Sequence, residues 1–142
     1  CADGELLQQS ICNELSLKQN LIIIAGHYKG IDQRIRDYFV TREISIGNFV
    51  LSGGELPAIV LTDAIVRLLP GVLNDLESAL EDSYQNDLLE PPQYTRPAIF
   101  RDMKVPEVLL SGNKKKIDEW KLEQSIKKTK ERRPELYKKF IE

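Results

Sequence analysis

Residues 55–71 read ELPAIVLTDAIVRLLPG, a helical stretch that is apolar almost all round. A surface helix keeps one apolar stripe and one polar face, so a segment lacking the polar face has to be covered on every side. That demand constrains any fold the chain adopts. The stretch is expected inside a domain or against a partner subunit, and Pro70 and Gly71 stop it.

What precedes it alternates. Residues 5–16 place Leu7, Ile11 and Leu15 four apart, a helical stripe. NLIIIAG (20–26) is a continuous β-branched run ending in glycine, which suits a strand buried on both faces, as in a parallel sheet. A short helix is expected over 30–38, with Ile31 and Ile35 inward and Arg34 near Asp37. VTREISI (40–46) reads as a second strand. Helix, strand, helix, strand, helix is an α/β order. Two strands make a poor sheet, however, so further strands are expected outside this chain or from another copy.

Beyond residue 72 the character changes. VLNDLESALEDSYQNDLLEPP is acidic and closed by a proline pair, and residues 73–90 read as an interdomain linker. Residues 91–142 form the expected third segment, a small, mainly helical domain. Its first part, YTRPAIFRDMKVPEVLLSGN, is expected to hold little regular structure. Asn113 then caps a helix with Ile117, Trp120 and Ile126 inward, and a second short helix starts near Pro134. Residues 1–100 carry 7 Lys and Arg against 14 Asp and Glu, whereas residues 101–142 carry 13 against 8. The basic end fits either a polyanion or simply solvated helix surfaces.

Composition narrows the class. An apolar content of 42% with 30% charged residues is that of an ordinary globular protein, and 142 residues suffice for a core. No apolar run approaches the twenty or so residues of a spanning helix, so no membrane partner is expected. Cys1 and Cys12 are too few for a disulfide framework, and no leader-like start is read, so a cytoplasmic location is expected. The single histidine, His27, excludes an HExxH zinc site, and two cysteines exclude a four-cysteine one. Neither GxxxxGK[ST] nor GxGxxG occurs, and nothing like GxSxG surrounds a serine.

Three features remain. Gly47, Gly53 and Gly54 fall within eight positions, between apolar runs and beside Ser45 and Ser52. Either they make tight turns, or they open the main chain to a flat, mostly apolar ligand such as an adenine ring. Arg67, near the end of the apolar helix, reads as buried and either pairs with Asp63 or faces a cleft. Glu81 and Asp82 stand in the linker, where acids are commonly just solvated.

GHYKGID (26–32), EISIGNFVLSGGELPA (43–58), DAIVRLLPGVL (63–73), EDSY (81–84), PPQYTRP (91–97) and VPEVLLSGN (105–113) follow one another in the order and spacing of one family. By these six motifs the sequence closely resembles the bacterial tRNA (guanine-N1)-methyltransferases of the SPOUT class, which have a trefoil-knotted α/β fold. The resemblance implies transfer of a methyl group from S-adenosylmethionine to N1 of the guanosine 3′ of the anticodon. It implies donor contacts from Gly26, Tyr28, Ser45, Ile46, Gly47, Phe49, Leu51, Gly53, Gly54 and Pro57. Asp82 matches the family's general base, and Arg67 the residue that steadies charge on the guanine O6. It further implies a homodimer in which Asp82 serves the partner's donor, and tRNA phosphates on the basic helices over 113–139.

Two departures stand out. The family has a longer N-terminal portion, so the chain is expected to be N-terminally truncated, with Gly4 the remnant of the first donor loop. The family often has an acid after the tyrosine of its GxYxG loop; here it is Lys29, which argues against carrying over its magnesium site. Two alternatives therefore stay beside the enzyme: an RNA-binding or dimerisation fragment without turnover, and a SPOUT methyltransferase with another RNA target.

Overall fold

In the computed structural model, which describes residues 1–72, 83–84 and 86–142, the chain divides into two units, Cys1–Ala79 and Leu80–Glu142. The first is α/β. Its strands β1 (Glu5–Leu6) and β2 (Ile44–Ser45) run parallel, with Glu5 opposite Ile44 and Leu6 opposite Ser45. Around them lie α1 (Gln9–Ser16), α2 (Gln33–Phe39) and α3 (Glu55–Val66). The stripe expected over 5–16 is real but shorter, because residues 5 and 6 are taken by the strand pair. Ile11, Cys12 and Leu15 of α1 are buried against Ile65 of α3, with Leu7, Ile44, Leu61, Ala64 and Leu68 packed around them.

Two arginines fasten this arrangement. Arg36 of α2 binds Asp3 at 2.5 Å and also Glu43, the two acids flanking the strand pair. Arg42 binds Glu5 and reaches Glu14 of α1 at 2.8 Å. Hydrogen bonds from the guanidinium groups hold the carboxyls of Asp3, Glu5 and Glu43 below their usual range.

Three expectations for this unit are corrected. NLIIIAG forms no strand, and Ile22 is 92% exposed. A strand exists by its ladder, and β1 and β2 use each other, leaving, among the described residues, only an isolated antiparallel bridge between His27 and Gly53. Ile35 points outward, and Arg34 pairs with Asp32 rather than approaching Asp37. Asp32 is the nearer acid because it caps α2, accepting from the Arg34 N–H at 2.9 Å. Finally, α3 is a helix as expected but is not enclosed: Leu56, Ile59 and Val60 are exposed and only Ile65 is buried.

The second unit begins, among the described residues, with Ser83 and Tyr84. Most of the expected linker, including Glu81 and Asp82, lies outside the described residues. Where little regular structure was expected there is a hairpin, β3 (Ile99–Phe100) against β4 (Met103–Lys104). Its two turn residues, Arg101 and Asp102, have φ of 48° and 64°. Left-handed values at both positions suit a two-residue hairpin turn, although neither residue is glycine. A short helix α4 (Glu107–Leu110) leads to α5 (Lys114–Arg132) and α6 (Pro134–Ile141).

Asn113 caps α5 as expected, its side chain accepting from the Lys116 N–H at 3.2 Å. The inward face differs, however. Ile117, Trp120 and Ile126 are half-buried, while Ser125 and Thr129 are buried. These two hydroxyl residues lie one turn apart, where the chain at 89–90 crosses the helix. Among the described residues no helix is long and apolar enough to cross a membrane.

Candidate functional site

The glycine segments pack chain against chain. The Gly54 N–H donates to the Gly26 carbonyl at 2.9 Å, and a Cβ on Gly54 would stand 2.9 Å from the Ala25 Cα and the Gly26 nitrogen. No side chain fits there without moving the backbone. A Cβ on Gly53 would meet the His27 ring and the Glu55 carboxylate. Gly4 is held the same way, with the Glu43 carbonyl carbon 2.7 Å from where its Cβ would be. The structure thus brings Gly26 together with Gly53 and Gly54, and Gly4 together with the strand that carries Ser45. At these positions glycine permits close approach of two chain segments, the tight-turn alternative.

The loop between β2 and α3 is open by contrast. Buried Ser45 donates its hydroxyl to the Gly47 carbonyl at 3.2 Å, and Gly47 has φ of 151° with the Phe49 ring close by. Ile46 is half-buried, as is Pro57 in the first turn of α3, whereas Phe49, Val50 and Leu51 are exposed. Among the described residues, none of the amides from Asn48 to Ser52 donates a backbone hydrogen bond. Tyr28 has φ of 58° and a fully exposed side chain on the facing loop, beside Lys29.

One pairing was not anticipated. His27 Nε2 is the hydrogen-bond partner of Glu55 Oε1, joining the two loops by side chains as well as backbone. The Glu55 carboxyl is held below its usual range by its own amide at the start of α3, and further by His27. The sequence motifs bear on His27 only as a zinc ligand. The two residues are 28 positions apart, so no local pattern announced the pair.

Arg67 is exposed, not buried, because it lies one residue past the end of α3. Its N–H donates to the Asp63 carbonyl at 3.2 Å, a helix-end bond. Cys1, Asp3 and Glu43 bring ligand atoms within 4.8 Å of one another, but both carboxylates are already paired with Arg36.

The open loop therefore offers unused neutral donors and apolar side chains. Such a surface suits an uncharged, flat, hydrogen-bonding group such as a nucleoside base. A family model described as tRNA (Guanine-1)-methyltransferase TrmD matches residues 1–139. The chain is 57% identical over 138 residues to the tRNA (guanine-N(1)-)-methyltransferase of Cytophaga hutchinsonii, covering 97% of this chain and 59% of that protein. It is 60% identical over 136 residues to that of Porphyromonas gingivalis, covering 96% and 60%. The match to that of Clostridioides difficile is 60% identical over 139 residues, covering 98% and 60%. The chain thus spans about 60% of the length of the curated relatives it matches. With one family model running through both units, and relatives of a single kind along nearly its whole length, the chain belongs to the tRNA (guanine-1)-methyltransferase TrmD family.

Proposed function

We propose that this chain is the larger part of a tRNA (guanine-N1)-methyltransferase acting on the guanosine 3′ of the anticodon, within a SPOUT-type knotted fold. The match over residues 1–139 carries this reading. S-adenosylmethionine, when bound, supplies a methyl group on an electrophilic sulfonium. The open amides of 48–52, with Ser45, Ile46, Gly47, Phe49 and Leu51, hold the donor's nucleoside from one side. Gly26 and Tyr28 face it from the other loop and Pro57 from the first turn of α3, while Gly53 and Gly54 set the spacing of the two loops. Gly4 sets the position of the Ser45 strand. No magnesium ligand is assigned.

Guanine N1 carries a proton at neutral pH and is a weak nucleophile until that proton leaves. Asp82 accepts it as general base. Arg67 supplies positive charge beside O6, where negative charge grows as N1 is deprotonated. The base leaves the anticodon stack first. Lysines of α5 and α6, with Arg132, hold tRNA phosphates, in the cytoplasm where tRNA works. In the proposed homodimer the exposed apolar residues of α3 form the interface, and Asp82 serves the partner's donor.

A second reading is a fragment that keeps the RNA and dimer surfaces without turnover, favoured by the uncovered residues 21–24 and α3. Titration calorimetry with S-adenosylmethionine separates the two: saturable heat supports the enzyme, and none supports the fragment. Methylation of tRNA with and without that guanosine tests the target, since equal incorporation would point to another RNA site. Asp82→Ala should lose turnover yet keep donor affinity; weakened donor binding instead would remove its role as base.

A further inference from the structure

Tyr84 has φ of 76°, a left-handed value that is costly for a bulky residue and that glycine would adopt freely. A tyrosine held there implies that its side chain is needed, and its contacts show by what. The Arg133 guanidinium carbon lies 5.6 Å from the Tyr84 ring centroid, and Arg133 Nη1 donates to the Tyr84 hydroxyl at 3.3 Å. Ser83 and Glu90 are bonded to each other, and residues 89–90 are fastened to the same helix end. The Ser83 N–H donates to Glu90 Oε1 at 3.3 Å, and the Glu90 N–H returns a bond to Ser83 Oγ at 3.0 Å. The Leu89 N–H donates to Thr129 Oγ1 at 2.8 Å, and Lys128 Nζ to the Glu90 carbonyl at 2.8 Å.

Ser83 directly follows Asp82 in the chain. The clamp therefore fixes Ser83 and Tyr84, which follow the proposed base in sequence, and it does so from the end of α5, the helix whose lysines are proposed to hold tRNA. We propose that Arg133 and Tyr84 are positioning residues for methyl transfer, holding the residues that follow the proposed base in the chain against the RNA-holding helix; this rests on the methyltransferase reading above. Arg133 serves by its planar shape rather than its charge: it covers the Tyr84 ring and bonds its hydroxyl while its Nε binds Glu135. An ammonium group cannot make all three contacts at once.

The test uses Arg133→Lys and Tyr84→Phe in the full protein, with kcat and the KM for tRNA measured at saturating donor. Arg133→Lys keeps the positive charge, so tRNA KM should stay within about twofold while kcat falls about 10- to 100-fold, the size expected from misplacing a reacting group. Tyr84→Phe keeps the ring and should lose less. Glu131→Gln, at an exposed residue of α5 outside the clamp, should keep wild-type kcat. If Arg133→Lys raises KM for tRNA with kcat unchanged, Arg133 is a phosphate contact and the positioning role is overturned. Wild-type kcat in both clamp variants overturns it equally. A wild-type protein that transfers no methyl group to tRNA sinks the methyltransferase reading itself, an outcome distinct from active wild type with indifferent variants.

Discussion

Thr129 is fully buried, with 0% exposure, on a helix otherwise rich in lysine. Its hydroxyl donates to the Ser125 carbonyl at 2.7 Å and accepts from the Leu89 N–H at 2.8 Å. Thr129→Val preserves shape and β-branching and has nearly the same helix propensity. It therefore isolates the hydroxyl. The Ser125 carbonyl keeps its helical partner, so the loss falls on the Leu89 amide, which is left without an acceptor where the chain crosses the helix. Leu89 is half-buried, so stranding its amide costs about 1 kcal/mol, the low end of the range for a buried donor. In a unit of this size that corresponds to a drop of about 4–8 °C in Tm for each kcal/mol. Trp120, the one tryptophan of the chain, lies on the same helix and reports its unfolding by fluorescence. Urea titration should show a lower midpoint with an unchanged slope. Thr129→Ser, which keeps the oxygen, should recover most of the loss. A Thr129→Val midpoint equal to wild type would mean that the Leu89 amide does not depend on Thr129, and the docking of residues 89–90 would lose its central bond.

Three further outcomes follow from the geometry. Gly54→Ala should destabilise the first unit by about 1–3 kcal/mol through overpacking against Ala25 and Gly26; since Gly54 has φ of −85°, backbone strain is not involved, and a gain in stability would show that the two loops are not in contact. Asp102→Gly should raise the second unit's urea midpoint by up to about 1 kcal/mol in stability, because glycine adopts φ of 64° without a Cβ clash; a lower midpoint would refute the turn. The third concerns acid. Asp3, Glu5 and Glu43 have folded values below the usual 3.8 and 4.5, so the stability they lend is present above those values. It is lost as pH falls through the lower folded values. The first unit's midpoint should therefore decline from about pH 5 downward, and Arg36→Gln should flatten that decline; an Arg36→Gln profile parallel to wild type would show that these pairs contribute nothing.

What the sequence disclosed depended on whether the cause was local. The Asn113 cap, the Pro134 start and the Ile11/Leu15 stripe each arise from residues within a turn of one another, and each stands where the spacing put it. NLIIIAG was misread because its composition reports a preference for a ladder, not the presence of neighbouring strands. The turn at Arg101 and Asp102 carries no glycine, so the hairpin had no turn signal. Thr129 was missed because a threonine on a helix is ordinarily exposed; only the chain passing over it explains its burial. At the candidate site the glycines were legible, but their work was not. Gly54 and Gly4 face backbone of the chain itself, which only coordinates reveal. The pairing of His27 with Glu55 spans 28 positions and left no local trace.

The uncovered apolar helix and the open loop are one problem rather than two. Leu56 and Ile59 of α3 are 61% and 63% exposed, and Val60 and Val66 add to the same helix. Covering such residues returns on the order of 1 kcal/mol or more each. Taken together that is a substantial part of the 5–15 kcal/mol that holds a typical domain folded. The first turn of α3 starts directly after Gly53 and Gly54, and its Glu55 grips His27 of the facing loop. Whatever covers α3 therefore also steadies the two loops proposed to hold the donor. Binding that favours one arrangement of the loops must favour the covered helix by the same free energy. In the proposed dimer, donor affinity should consequently rise with protein concentration until α3 is covered in every molecule. Donor affinity independent of concentration across the dissociation range of the dimer would show that the helix and the loops are not linked.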